Sequence, residues 1–272
     1  MKSGRYSSAL KCAYRLLEEE ETCISNSSYS FLTESYAKLW TLKLNLLLKI
    51  GLIDLVAKEL EHFDNDWFIQ LFSHDNTVSS FLPFSLRIIH AVIPSMQGKT
   101  HESLDRLNKL NKIIDQILST SLSIQGTRVW RARKLNVLEM ILHVTTSASY
   151  FELALQTCFL MLAHLGAFAE DEDSEFIQKQ RRNLIGKLGK LYLLMGQTVL
   201  SQKSFEKYLQ LFDANSASYQ LESLLCKTYA AVAHANYGLA VQLLEEALQI
   251  DPTNVTVRHN FSSAFLQGAD EP

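Results

Sequence analysis

Apolar and small residues recur along this chain with the period of an amphipathic helix. In the clearest stretch, Ala240 is followed by Leu244 four positions later and by Ala247 seven positions after the first residue. These offsets place the three side chains on one stripe of a helix, and small residues there allow a second helix to approach closely. Asp251 and Pro252 then predict the end of the helix, because the residue before a proline disfavours helical geometry. The stretch therefore predicts half of a helix–turn–helix unit.

Related stripes precede this stretch, and apolar segments between them predict partner helices. The first positions of successive stripes lie between 39 residues apart (Ser201 to Ala240) and 51 residues apart (Ser103 to Ala154). The other stripes are Ala9, Ala13 and Leu16; Val56, Leu60 and Phe63; Ser103, Leu107 and Leu110; Ala154, Cys158 and Met161; and Ser201, Phe205 and Tyr208. The partner helices are predicted at 36–50, 84–96, 129–145, 182–195, 218–235 and 255–267.

The period and the internal signature of these units point to different repeat classes. A period of about 40–47 residues is typical of HEAT and armadillo repeats, whereas tetratricopeptide repeats have about 34. The residue types favour tetratricopeptide repeats, through Trp40, Leu47 and Gly51; Leu188, Gly189, Tyr192 and Gly196; and Ala240, Ala247 and Pro252. We therefore predict an all-α fold, a right-handed α-solenoid of about six irregular tetratricopeptide-type helix pairs. It forms a single domain over 1–272, with a long connection at 64–83 and a final helix that either caps the solenoid or lacks its mate.

Glycine and proline predict where several helices end. Gly51, Gly98 and Gly196 follow apolar helical segments, at the position of a C-terminal cap. Pro94 lies near the end of a predicted helix and removes one amide donor, so we expect the helix to kink or end at about Ile93.

Composition and charge narrow the class of protein. The chain is 47% hydrophobic with a net charge of −3, so bulk attraction to nucleic acid or an anionic membrane is not expected. Its four cysteines are scattered, which favours reduced thiols in a cytosolic protein. The N-terminus has no apolar core of a signal peptide, and the densest apolar run, 39–53, is interrupted by polar residues.

No constellation of catalytic, metal-binding or cofactor-binding residues is visible. The eight histidines show no metal-ligand spacing, and the segment 186–190 lacks the phosphate-loop pattern despite its two glycines. We therefore predict no enzyme activity, no cofactor, no metal and no small-molecule substrate. The acidic run 170–175 is predicted to be solvated, with contact to a basic patch of a partner as the alternative.

Two features could bind a partner. Trp67 and Phe68 lie in the long connection, which either folds back over the core or presents aromatic anchors. Arg128 and Arg131 belong to a basic cluster at the start of a predicted helix, where the helix dipole does not favour cations. An acidic partner, internal or external, is therefore expected there.

The third of the predicted helix–turn–helix repeats, at 82–118, resembles a known family. The residues that match are Pro83, Phe84, Ser85, Arg87, Ile88, His90, Ala91, Pro94, Gly98, Glu102 to Leu107, Lys109, Leu110, Ile117 and Leu118. This stretch resembles the trafficking protein particle (TRAPP) complex subunits of the twelfth type, tetratricopeptide-repeat proteins of a tethering complex, and flanking segments agree in the same order. The family has a long region before these repeats and one more helix pair after them. It also has a tyrosine- and glycine-rich segment where this chain has 68–81.

The resemblance implies a function. A relative of this family would be a non-enzymatic scaffold that binds other subunits through its solenoid surface in endoplasmic reticulum to Golgi transport. It would be cytoplasmic and peripheral at the endoplasmic reticulum–Golgi intermediate compartment or the Golgi, reaching membranes only through the complex. The alternative is a generic adaptor for peptide tails, although lysine and arginine are sparse in the predicted first helices outside 128–134. The candidate partner-binding residues are Trp67, Phe68, Arg87, Asp105, Arg106, Arg128 and Arg131.

Overall fold

A computed structural model describes residues 2–25, 34–61, 63, 82–120, 123–166 and 174–269. Within these ranges the protein has 12 helices and no strand, which confirms the all-α prediction. None of these helices is long and apolar enough to cross a membrane. The helices are α1 (Lys2–Ser25), α2 (Glu34–Ile50), α3 (Ile53–Leu60), α4 (Phe84–Met96), α5 (Thr100–Leu118), α6 (Ile124–Ser147), α7 (Phe151–Gly166), α8 (Ser174–Leu194), α9 (Thr198–Leu209), α10 (Ala217–Ala233), α11 (Tyr237–Ile250) and α12 (Val255–Ala269).

The chain divides into two compact units, Met1–Ala148 (unit 1) and Ser149–Pro272 (unit 2). In unit 1, which contains α1 to α6, helices that are consecutive along the chain pack against each other, and α4 also contacts α6. In unit 2, α7 to α12 follow the same rule, and α8 also contacts α10. Contacts between neighbouring and alternate helices are expected of stacked helix pairs. The single domain, the solenoid and its handedness remain predictions.

Most of the predicted stripes lie on the buried faces of the helices that carry them, here called the second helices of each pair. All three residues of the second, third, fourth and sixth stripes are buried, whereas in the fifth stripe Tyr208 is only partly buried. In the first stripe, two of the three residues are wrong, because Ala9 is exposed and Leu16 is 45% exposed. Ala13 is buried as predicted, and Leu17 is buried in place of Leu16. The periodicity of α1 is thus helical, but its buried face begins one turn later than predicted.

Two helix pairs use the same buried hydrogen bond. Ser103 in α5 donates from its hydroxyl to the carbonyl of Ala91 in α4, at 2.7 Å. Ser201 in α9 donates in the same way to the carbonyl of Gly189 in α8, at 2.8 Å. Both bonds span 12 residues, so the two pairs are in the same register. In these two stripes the small first residue therefore does more than leave space, because its hydroxyl bonds the backbone of the facing helix.

The glycine caps predicted at helix ends are confirmed. Gly98 and Gly196 have φ values of 82° and 72°, in the left-handed region that a side chain disfavours. The amides that follow them donate back into the last helical turn, from Lys99 to the Pro94 carbonyl and from Gln197 to the Tyr192 carbonyl. Gly51 caps α2 in the same way. At the end of unit 2, α11 stops at Ile250, immediately before the Asp-Pro pair.

The core of unit 1 contains an ion pair among its apolar residues. Trp40 packs edge to face against Phe63, with ring centroids 5.1 Å apart. Beside them, Lys43 on α2 donates to the Glu59 carboxylate on α3 at 2.7 Å, with side-chain exposures of 6% and 15%. The ammonium also lies 4.1 Å from the centroid of the Trp40 ring and 4.4 Å from that of Tyr14. The Lys43 ammonium therefore contacts residues of α1, α2 and α3.

Candidate partner-binding surface

The structure places the predicted partner-binding residues in three different settings. Trp67 and Phe68 lie outside the described residues. Asp105 is exposed on α5. The remaining four are arginines on α4, α5 and α6, namely Arg87, which is buried, and Arg106, Arg128 and Arg131, which are partly exposed.

Pro94 lies inside α4, and the helix continues beyond it to Met96. The expected end of the helix at about Ile93 is therefore corrected. Proline has no amide hydrogen, so the carbonyl of His90, four residues earlier, loses its usual helical donor. Arg106 on α5 replaces that donor, because its Nη1 lies 2.8 Å from the His90 carbonyl oxygen. Its Nη2 bonds Glu102 at 2.6 Å, which holds the guanidinium in place. Arg106 is thus a structural partner of Pro94.

A cavity of about 330 Å³ opens beside this arrangement in unit 1, lined by residues that include His90, Pro94 and Arg106. Burial, and then the positive charge of Arg106, lower the pKa of His90 to about 3. The imidazole is therefore neutral at physiological pH and is not matched to acid–base chemistry there. Among the described residues, no group of three His, Cys, Asp or Glu side chains could hold a metal ion.

Arg106→Leu is expected to destabilise unit 1 by about 1–2 kcal/mol, because the partly buried His90 carbonyl loses its donor. In a Pro94→Ala background the same change is expected to cost less, since the amide of residue 94 can then bond His90. The measurement is urea unfolding followed by tryptophan fluorescence, because Trp40, Trp67 and Trp130 all belong to unit 1. An equal cost of Arg106→Leu in both backgrounds contradicts the replacement.

Unit 1 is expected to lose stability as the pH falls below neutral. The unfolded chain protonates His90 near pH 6.5, whereas the folded unit does so only near pH 3. Between these pH values the unfolded state binds more protons than the folded state. The contribution of His90 to the free energy of unfolding is therefore complete above about pH 6.5 and declines below it. We expect a loss of about 2 kcal/mol between pH 7 and pH 5. His90→Gln should reduce this slope in the same urea assay, and an unchanged slope would exclude His90 as the cause.

A second cluster joins α4 to α6. The Arg133 guanidinium lies 4.3 Å from the centroid of the Trp130 ring and 5.2 Å from that of Phe84. The two rings meet edge to face with centroids 6.3 Å apart. Arg87 is only 1% exposed, and burial followed by the charge of Arg133 lowers its pKa to about 10. Both guanidiniums stay charged at neutral pH.

The basic cluster predicted from the sequence thus divides into internal and surface residues. Arg133 stacks on aromatic rings, and Lys134 forms an ion pair with Asp115 of α5. Arg128 and Arg131, one turn earlier on α6, remain partly exposed. The sequence gives the cluster, but not this division, because the partners of Arg133 and Lys134 come from other helices.

Two of the three described cysteines are buried and unreactive. Cys12 is exposed, Cys158 and Cys226 are buried, and all three are free thiols. Burial raises the pKa of Cys158 to about 11 and that of Cys226 to about 12, so neither is a thiolate at neutral pH. The side chain of Cys23 lies outside the described part of the chain.

Comparison with known proteins adds a relationship to this paired-helix architecture. No family model matches the chain. It is similar to mouse "Trafficking protein particle complex subunit 12", with 25% identity over 259 residues, covering 86% of this chain and 31% of that protein. The human protein of the same name is 24% identical over 259 residues, covering 86% of this chain and 33% of its own. The chain spans about a third of the length of these relatives. The similarity is weak homology that extends over most of the chain.

Proposed function

We propose that this chain is a non-enzymatic scaffold subunit of a TRAPP-type vesicle-tethering complex, acting in endoplasmic reticulum to Golgi transport. The observation that carries the proposal is the similarity to TRAPP complex subunit 12 over 86% of the chain. Sequentially packed helix pairs are compatible with the proposed right-handed solenoid of irregular tetratricopeptide-type units. The proposed location is cytoplasmic, peripheral at the intermediate compartment or the Golgi, with membrane contact through the complex.

In this proposal, the positive end of α6 binds an acidic surface of a neighbouring subunit. Arg128 and Arg131 are the partly exposed cations at the start of α6 that would make this contact. Arg106 acts from inside by joining α5 to α4 through the His90 carbonyl, and Arg87 is buried in α4. Asp105, exposed on α5, is a further proposed contact, as are Trp67 and Phe68 of the connection.

The proposal is tested by purifying the tagged chain from its own cells and quantifying co-purified proteins by mass spectrometry. We expect other TRAPP subunits in near-stoichiometric amounts. Arg128→Glu/Arg131→Glu should reduce their recovery by about tenfold, because arginine anchors contribute strongly to interfaces. Lys179→Glu/Lys227→Glu is the matched control, since both lysines are exposed in unit 2. Absence of TRAPP subunits from the wild-type purification would exclude the proposal.

A peptide-tail adaptor is the second candidate, and one cavity favours it. In unit 2, a cavity of about 270 Å³ is lined by residues of α8, α9 and α10, among them Glu222, and by the start of α12. Lys187 and Lys190 face it with Asn183 and Asn254, so cations in first helices are less sparse here than the sequence suggested. Lys190, however, donates to the Tyr229 hydroxyl at 3.1 Å. A fluorescent peptide with an acidic C-terminus distinguishes this function, if it binds and Lys187→Glu abolishes the binding.

A further inference from the structure

An open apolar groove lies on unit 2 between α7, α8 and α9. It has a volume of about 490 Å³, and its apolar lining includes Phe159 and Leu162 of α7 and Leu200 of α9. Phe159 is 50% exposed and Leu200 is 42% exposed. Neither residue belongs to a predicted stripe. The stripe residues of α7, such as Cys158 and Met161, are buried. The groove is therefore apolar surface that the packing of unit 2 leaves accessible, which is a property of interaction sites.

The rim of this groove is basic. Arg181 on α8 and Lys203 and Lys207 on α9 line it, and all three side chains are exposed. Among the described residues, none of the three forms an ion pair, and no acidic residue lines the groove. Lys203 and Lys207 are four residues apart on one helix, where like charges are slightly destabilising. Lys207 lies in the last turn of α9, where the helix dipole favours a cation. Arg181 and Lys203 lie in helix interiors, and binding of a negatively charged partner accounts for these two cations.

We propose that this groove binds an acidic amphipathic helix of a partner protein. Apolar side chains spaced i, i+3 or i+4, and i+7 on that helix occupy the space beside Phe159 and Leu200. Carboxylates flanking that stripe face Arg181, Lys203 and Lys207, so the charges set the orientation and raise the association rate. A bilayer is flat and does not fill a concave groove, whereas a helix matches its shape. The inference rests only on residues of unit 2 and stands independently of the tethering role.

The test uses a fluorescein-labelled peptide of about 18 residues, which is five helical turns. Leucine occupies positions i, i+3, i+4 and i+7 along the peptide, so that one face of the helix is apolar, and glutamate occupies the positions that flank this face. Fluorescence anisotropy with the full chain is expected to show micromolar binding that weakens with added salt. Lys203→Glu/Lys207→Glu and, separately, Phe159→Ser should each raise Kd by about tenfold or more. The control Lys227→Glu/Arg258→Glu changes the net charge equally at exposed residues that do not line the groove, and should leave Kd within about twofold.

Three results would overturn the proposal. The first is equal binding of a scrambled peptide with the same composition, or of a version with lysine in place of glutamate. The second is absence of binding by the acidic peptide, or binding that the groove variants do not weaken. The third is a concentration-dependent dimer that Phe159→Ser dissociates, which would make a second copy of the chain the occupant. Light scattering of the wild type and this variant detects the dimer. Circular dichroism confirms that each variant is folded.

Discussion

Lys43→Met is expected to destabilise unit 1 by about 3 kcal/mol, because breaking a buried ion pair leaves an uncompensated charge. Glu59 would keep its carboxylate in a site where it is 15% exposed and has lost its 2.7 Å donor. The substitution also removes the cation from the faces of Tyr14 and Trp40. Urea unfolding monitored by tryptophan fluorescence reports this loss, since all three tryptophans belong to unit 1.

The double variant Lys43→Met/Glu59→Gln separates the charge from the packing. Removing both charges should recover most of the lost stability, because the penalty comes from the unpaired carboxylate. Lys49→Met, at an exposed position of the same helix, is the matched control and should change stability by less than about 0.5 kcal/mol. If Lys43→Met is as mild as this control, the ion pair does not hold α2 and α3 together.

Gly189→Val is expected to destabilise unit 2 by about 3 kcal/mol through overpacking. A Cβ atom at Gly189 would lie 2.5 Å and 2.6 Å from two carbons of the Phe205 ring, far inside van der Waals contact. The ring cannot move away easily, because Phe205 is only 6% exposed and packs against Tyr229. The separation of α8 and α9 would therefore increase, and the bond from Ser201 to the Gly189 carbonyl would weaken.

Hydrogen exchange of α8 and α9 measures this effect, because unit 2 contains no tryptophan. Gly238→Ala is the control, since nothing lies within 4 Å of a Cβ atom at that helical position. It should stabilise α11 by about 0.5 kcal/mol, because alanine favours the helix. Gly189→Val combined with Phe205→Leu should recover part of the loss. Unchanged exchange in the single variant would mean that the helices have room for a side chain.

The stripes and helix ends could be predicted because both depend on residues that are close in sequence. A residue's face on a helix follows from the 3.6-residue period, and a left-handed cap favours glycine at one position. Ala240, Leu244 and Ala247 are each 0% exposed, as their spacing predicts. The same reasoning placed Ala13 correctly in α1 but also included Ala9 and Leu16, which are exposed, because several small and apolar residues there fit the helical period. Packing against α2 decides which of them are buried.

The site was less predictable, because an arginine at a surface and one in a core look alike in sequence. Arg87 and Arg106 were predicted as partner-binding residues together with Arg128 and Arg131. The structure places Arg87 inside unit 1 and directs Arg106 to the carbonyl that Pro94 leaves without a donor. That assignment depends on the distance between α4 and α5, and no local pattern encodes it. The basic rim of the groove on unit 2 could not be predicted for the same reason, since its cations come from two different helices, α8 and α9.

The sequence by itself determined that this chain is helical, where most helices begin and end, and which stripe of most second helices is buried. These properties follow from backbone geometry and from the hydrophobic period, which act over a few residues. The tertiary structure alone decided which charges are internal, as for Lys43, Arg87 and Arg106, and which line an accessible groove, as for Lys203 and Lys207. The physical reason is that burial and pairing of a charge depend on groups brought together from distant parts of the chain.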